Sequence, residues 1–403
     1  MTDRKRSFFY LGSVASVLYF SEGLPYGIVK DFVPMYLRFR HVDLTSIGLL
    51  NIVAFAWTFK FLWSPLIDEL GTYRRWITSA VAVIALTLGG MAVGHELGLL
   101  YYALVAVLAI ASATQDMAVD AFTIRATPQK MLGPINAIRV TAYRIALMLP
   151  GVLGVVAGSY GWSASYATAA VVAAVVFAIS LTLPNDRGAT AAARPNFIGA
   201  LKHWLLRPKS GLLLTIALTY RLGEMTIVSM IKPFWVDRGY SPAEIGTITS
   251  IIGVIVSIAA AIAGGMLVSK FGLYPSLIAV GVAQSISNIG YAVVATISAG
   301  RWAIYVAAIL ENVGYGLGTT VFLAFLMSLC DRERAASEYA LLSAAFALTG
   351  TIMASASGAI AQHAGYPAFF WLTVALGIPA LVVIPFVRDV IPEEPEGPAV
   401  VEG

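Results

Sequence analysis

Residues 8–36 read FFYLGSVASVLYFSEGLPYGIVKDFVPMY. The stretch is longer than the roughly twenty apolar helical residues that cross a ~30 Å hydrocarbon core. It has no small-residue cleavage site ahead of Ser21-Glu22-Gly23-Leu24-Pro25-Tyr26-Gly27, so it reads as a membrane span and not as a removable leader. Comparable runs recur along the chain. Of its 403 residues, 59% are hydrophobic and 12% charged, and a mean hydropathy of +0.81 means that lipid solvates much of the surface. The runs are continuous, whereas strands of a membrane barrel would be ~10 residues long and strictly alternating. Helices are then the remaining way to satisfy the backbone in lipid, so the fold class is an all-α membrane protein.

Outward from that first stretch, the pattern predicts spans at 8–36, 46–67, 76–95, 99–124, 134–160, 163–183, 210–236, 243–269, 273–297, 301–329, 335–361 and 366–388. These form two groups of six: a first half over 1–183, a linker over 184–209, a second half over 210–388, and a Pro- and Glu-rich tail over 389–403 expected to be disordered. Segment 197–206 of the linker reads as a short amphipathic helix on the membrane surface. Arg4, Lys5, Arg6, Arg74, Arg75, Arg125, Lys130, Lys270, Arg332, Arg334 and Arg388 fall on the side of the linker, while Arg38, Arg40, Arg238 and Arg301 fall on the other. That bias predicts a multi-pass protein of the cell inner (cytoplasmic) membrane with both termini cytoplasmic. The formal charge of +4 is dispersed, so nucleic acid is not an expected partner. One cysteine, Cys330, and four His give no metal-ligand spacing; neither a metal nor a cofactor is expected. The expected partners are the bilayer, a small-molecule substrate and the proton, with the chain acting as a monomer.

The two halves repeat one another. Glu22 in span one is followed by Val33-Pro34-Met35-Tyr36 and by Leu44-Thr45-Ser46-Ile47-Gly48, and Glu224 in span seven by Lys232-Pro233-Phe234-Trp235 and by Ser241-Pro242-Ala243-Glu244-Ile245-Gly246. The turn Ser64-Pro65-Leu66-Ile67-Asp68-Glu69-Leu70-Gly71 before Arg74-Arg75, and its counterpart from Gly264 to Gly272, resemble the signature loop of the major facilitator superfamily. That resemblance implies the major facilitator fold, about twelve transmembrane helices in two pseudo-symmetric halves with the substrate path between them.

A charge at bilayer depth costs at least ~2.5–3.5 kcal/mol on insertion scales, so it marks a partner, a wet cavity or a route to the interface. Glu22, Arg144, Arg221, Glu224 and Glu311 fall about 13–22 Å from the span ends. Asp116 and Asp120 share one face of span four. Asp120 matches Arg139 in depth and Asp116 matches Arg144, so two ladder-like pairs are geometrically open, either as stitches between helices or as a gate. With Asp68, Arg74 and Arg75 at the turn, these acids and Arg139 make the candidate gating network. Arg144 has the planar fork for a substrate carboxylate or phosphate. Arg221 and Glu224 stand three apart and can pair when no substrate is bound. As desolvated carboxyls, Glu224, Glu311 and Glu22 are candidates for proton exchange, in that order. Lys30, Asp31, Lys60 and Lys232 read as side chains reaching for the interface. The Gly/Pro interruption at Gly23–Gly27 reads as freed backbone bordering a cavity, with Tyr26 and Glu22 as substrate contacts. Gly154-x-x-x-Gly158 and Gly314-x-x-x-Gly318 read as close helix packing.

Phe20-Ser21-Glu22-Gly23-Leu24-Pro25, Phe59-Lys60-Phe61-Leu62-Trp63-Ser64-Pro65-Leu66-Ile67-Asp68, Ser112-Ala113-Thr114-Gln115-Asp116 with Asp120-Ala121, Tyr143-Arg144, Tyr220-Arg221-Leu222-Gly223-Glu224 and Leu310-Glu311-Asn312 together resemble the AmpG-type muropeptide permeases and the related acetyl-CoA transporters. The resemblance covers both halves. It implies proton-coupled import of an anhydro-muropeptide for cell-wall recycling. It also carries Asp116, Asp120, Arg144, Arg221, Glu224, Glu311 and Asn312 over as the intramembrane polar set. Span one departs from those permeases by its acid, Glu22, and the compact length is shared with siderophore permeases, so a siderophore permease or a drug exporter of the same fold stands as the alternative. A membrane-bound enzyme would need a His cluster or a Ser/His/Asp arrangement at depth, and none is found, so the chain reads as a transporter and not an enzyme.

Overall fold

The computed structural model describes residues 3–63, 66–67, 70, 72–127, 132–184, 204, 206–297, 300–330 and 335–391. Asp68, Lys130, Arg332, Arg334, nearly all of the linker and the tail beyond Ile391 lie outside these residues, and the side chains of Arg4, Lys5, Arg6 and Arg125 are not described. Every element among the described residues is helical.

Among the described residues, nine helices are long and apolar enough to cross a membrane: Tyr73–Val93, Leu99–Thr123, Ile138–Tyr160, Trp162–Ser180, Ser210–Asp237, Pro242–Phe271, Leu273–Thr296, Arg301–Ser328 and Leu342–Val390. The last of these, 49 residues long, contains Gly365 at φ 79°, where one helix ends and another begins. Only glycine adopts that left-handed turn without a Cβ penalty. The opening helix, Asp3–Gly27, passes through a π turn at Ile28–Phe32 into Val33–Phe39. Leu44–Thr58 is a shorter apolar helix, interrupted by a 3₁₀ turn at Leu50–Ala54 and followed by another at Lys60–Leu62.

The chain forms two compact units. One gathers residues 1–42, 50–192 and 232–254, the other 43–49, 193–231 and 255–403. In the first, Leu18, Tyr19, Ile77, Val81, Val119 and Ile135 build an apolar core. Gly151 and Gly154 let the backbone of Leu149–Tyr160 touch Gly246 and Pro242, since a Cβ at Gly154 would lie 2.6 Å from the Pro242 carbonyl. In the second, Trp204, Tyr220, Phe322, Phe325 and Leu326 form the core, and Gly48 meets Gly358 just as closely, a Cβ at Gly48 falling 2.6 Å from the Gly358 nitrogen. Gly48 and Gly246 occupy the same place in the sequence repeat, and each is pressed against another glycine. The repeat is also capped alike. Asp43 accepts from Ser46 N at 2.8 Å and from Ser46 Oγ at 2.7 Å ahead of Leu44, and Ser241 and Glu244 form a reciprocal capping box. The hydrogen bonds from Ser46 hold the Asp43 carboxyl below its ordinary range.

The expected interruption at Gly23–Gly27 is corrected here: the helix runs through Pro25. Its glycines serve packing, because a Cβ at Gly23 would lie 2.7 Å from the Ala146 Cβ and one at Gly27 2.9 Å from the Pro150 Cγ. The two spaced glycine pairs do pack as expected, Gly158 against Ala243 and Gly318 against Gln284.

Candidate functional site

The first unit collects charges from four helical segments. Lys60 Nζ lies 2.7 Å from Asp116 Oδ2, and Arg139 Nη2 lies 2.5 Å from Asp120 Oδ1. Tyr19 donates to the same Asp120 oxygen at 2.6 Å, with the Arg139 guanidinium 4.2 Å above the Tyr19 ring. Glu22, 4% exposed, sits in the field of Asp116, Asp120, Lys60 and Arg139. The Asp120–Arg139 rung is present as expected. The Asp116–Arg144 rung is not: Lys60 reaches Asp116 from the 3₁₀ turn at Lys60–Leu62 and neutralises it first. Arg144 is half-buried and has no ion-pair partner among the described residues. Next to it in the chain, Tyr143 belongs to an aromatic group in which Tyr26 meets Trp57 edge-on at 5.2 Å and Tyr143 at 6.2 Å.

The reading of Lys30, Asp31, Lys60 and Lys232 as interface-seeking is corrected by their partners. Lys30 donates to Asn51 at 3.1 Å, and Lys232 meets Asp31 at 2.9 Å and Ser250 at 3.0 Å. A partner within reach removes the need to stretch to water. Arg38 and Asp237 form a two-pronged pair at 2.5 and 2.8 Å. At the turn, Arg74 donates to the Leu181 carbonyl at 2.5 Å and Arg75 is exposed, while Asp68, their expected partner, lies outside the described residues.

The second unit holds a drier set. Arg221 Nη2 and Glu224 Oε2 are 2.6 Å apart with side chains only 7% and 3% exposed. The guanidinium also covers Tyr315 at 5.3 Å and Phe346 at 5.8 Å. Glu311 is buried and accepts from Asn312 Nδ2 at 3.0 Å, the same amide donating to the Ala308 carbonyl at 2.9 Å. Sequence reasoning missed Tyr19 and Trp57 as members of these clusters. It also missed buried Gln284 and Asn288, whose helical spacing was the available signal.

Apolar helices long enough to cross a membrane thus hold ion pairs at low exposure. The chain belongs to the Major Facilitator Superfamily, whose family model matches residues 15–337 and 213–403; by fold it is a secondary transporter. It is 28% identical over 400 residues to the Anhydromuropeptide permease of Escherichia coli K12, covering 94% of this chain and 80% of that protein. Among solved structures it is similar to a bacterial homologue of the human lysosomal transporter Spinster in an inward-facing, unoccupied conformation, with TM-score 0.75, 13% identity, and 98% and 99% of the two chains covered. A D-xylose–proton symporter gives TM-score 0.72 at 14% identity over 96% and 98%. Both likenesses are of fold.

Proposed function

We propose that the chain is a proton-coupled importer of anhydro-muropeptide, or of a similar polar anionic solute, working by alternating access in an inner membrane. The observation that carries this is Arg144, half-buried and without an ion-pair partner among the described residues, next in the chain to a residue of the Tyr26–Trp57–Tyr143 aromatic group. Flat aromatic faces suit the apolar faces of sugar rings, and a planar guanidinium suits a peptide carboxylate. The named relative, aligned over 94% of this chain, supports the choice of solute. Glu224, Glu311 and Glu22 are the proton-exchanging candidates, Arg221 and Asn312 further substrate contacts, and Asp116, Asp120 and Arg139 the gate charges. Twelve spans fit this reading. The nine long helices gain one when the Leu342–Val390 helix is divided at Gly365, another from 3–39, and another from 44–58.

The test is uptake of radiolabelled anhydro-muropeptide by proteoliposomes under an imposed pH gradient. Accumulation that collapses with a protonophore, and that Arg144→Lys abolishes in folded protein, is the expected result. Lys supplies the charge without the fork, so normal uptake by that variant removes Arg144 from the site. Uptake of a ferric siderophore in its place would favour the alternative solute.

A further inference from the structure

The helix Leu273–Thr296 buries a polar edge. Gln284, Ser287, Asn288 and Tyr291 recur at helical spacing and are 4%, 5%, 3% and 0% exposed. Both amide atoms of Gln284 and the Oδ1 of Asn288 are buried without a hydrogen-bond partner among the described residues. Each orphaned group of this kind costs about 1–3 kcal/mol, and native interiors rarely keep one without a use. Arg221 Nε, in the same unit, is orphaned too.

The helices that carry Glu224 and Glu311 both pack against this edge through glycines. Gly223, next in the chain to Glu224, packs against the Thr373 carbonyl, to which Asn288 Nδ2 donates at 3.5 Å, and an added Cβ there would lie 3.1 Å from that same Nδ2. Gly314, one turn beyond Glu311, abuts Ser287, and Gly318, a further turn on, faces Gln284, with 2.7 Å from an added Cβ to Oε1. Arg221 closes the arrangement by covering Tyr315, which shares a helix face with Glu311. Two acid-bearing helices are therefore held against one strip of amides, and the glycines keep their backbones close to it.

We infer that Gln284 and Asn288 hold a short file of water joining Glu224 to Glu311, and that this file carries the coupling proton between them. The inference rests on the proton coupling proposed above. An amide neither gains nor loses a proton near neutral pH, but it offers both donor and acceptor to water. Ser287 Oγ donates to the Gln284 backbone carbonyl at 2.7 Å and keeps its lone pairs for a further donor. Together these groups supply the two to four polar contacts that a buried water needs, and a bridging water transmits a hydrogen bond almost as well as direct contact. In the transfer, an O–H bond of one carboxyl breaks as one forms on the adjacent water, each water passes a proton on, and the other carboxylate gains one. One proton moves and no electrons change hands.

The experiment uses the full chain in lipid, with Gln284→Leu and Asn288→Leu, and Asn288→Ser as the small polar control. Radiolabelled anhydro-muropeptide is followed in pH-driven accumulation and in equilibrium exchange at equal pH. Infrared difference spectra of carboxyl and water bands are recorded across a pH titration of the same samples. The relay predicts that the Leu variants lose accumulation by about tenfold, one water-mediated hydrogen bond's worth, keep exchange within about twofold, and lose the water bands, with Asn288→Ser restoring both. Equal loss of accumulation and exchange would make the amides packing groups and overturn the relay, as would water bands unchanged by Leu. A wild-type protein that exchanges the probe without pH-driven accumulation would remove the coupling itself, a different failure. If the probe is not a substrate, the infrared arm still decides between water held by the amides and none.

Discussion

The Arg221–Glu224 pair allows a sharp energetic test. At 2.6 Å and an effective dielectric of about 20, Coulomb's law gives an attraction of about 6 kcal/mol. Most of that offsets the desolvation of two ions, so the pair's net contribution is small, yet stranding one member costs about 3–5 kcal/mol. The guanidinium's position over Tyr315 and Phe346 adds about 0.5–2 kcal/mol of cation–π attraction lost with the charge. Arg221→Met is therefore expected to lower unfolding free energy by about 3–5 kcal/mol, and Glu224→Gln by a similar amount. The double variant strands neither charge, so its loss should fall below the sum of the singles by about 3 kcal/mol or more. Reversible unfolding in mixed micelles, followed by circular dichroism as denaturing detergent is titrated in, measures all four proteins. Strictly additive losses would mean that the two side chains do not depend on each other, and the reasoning from their burial would fail.

Lys60→Met leaves Asp116 without its 2.7 Å partner and is expected to cost about 3–5 kcal/mol and abolish uptake, with Lys60→Met/Asp116→Asn recovering stability but not transport; thermal melts and proteoliposome uptake check both. Gly358→Ala forces a Cβ into the Leu44 carbonyl and should destabilise by about 1–3 kcal/mol, whereas Gly211→Ala, with open space around it, should be neutral in the same melts. Asp43, held below its ordinary range by Ser46, contributes its cap fully above its unfolded pKa of about 3.9 and loses it as pH falls through the lower folded value. Asp43→Asn should therefore flatten the acid limb of a stability–pH curve, and an unchanged limb would dismiss the cap.

The membrane fold was legible because hydropathy integrates over whole spans and needs no knowledge of contacts. The repeat was legible for a similar reason: the segments Leu44 to Gly48 and Ser241 to Gly246 are local signals copied at matching places. Pairing was legible only where both partners lay close in sequence or shared a turn, as with Arg221–Glu224 and Asp120–Arg139. Lys60 illustrates the limit. Its depth was counted from the end of a regular helix, but the chain there is a 3₁₀ turn, whose longer rise per residue and tighter winding move a side chain to a different level and face. Gln284 and Asn288 were passed over because an amide inside a span carries no charge to draw attention, although its desolvation without a partner is costly.

Glu22 and Glu224 hold the same place in the two copies, but they are neutralised differently. Glu224 has Arg221 one turn away on the same stretch of chain, a pairing that survives any shift of one helix against another. Around Glu22 the charges are brought by other segments, Lys60 from one, Asp116 and Asp120 from a second, and Arg139 from a third. A displacement of those segments by even a few ångströms changes the balance at Glu22, because Coulomb terms at short range vary steeply in a low-dielectric interior. The same displacement leaves Arg221 at Glu224. The two acids thus face a variable field in one unit and a fixed one in the other, so in the transport cycle proposed above Glu22 is the acid whose charge balance follows helix movement.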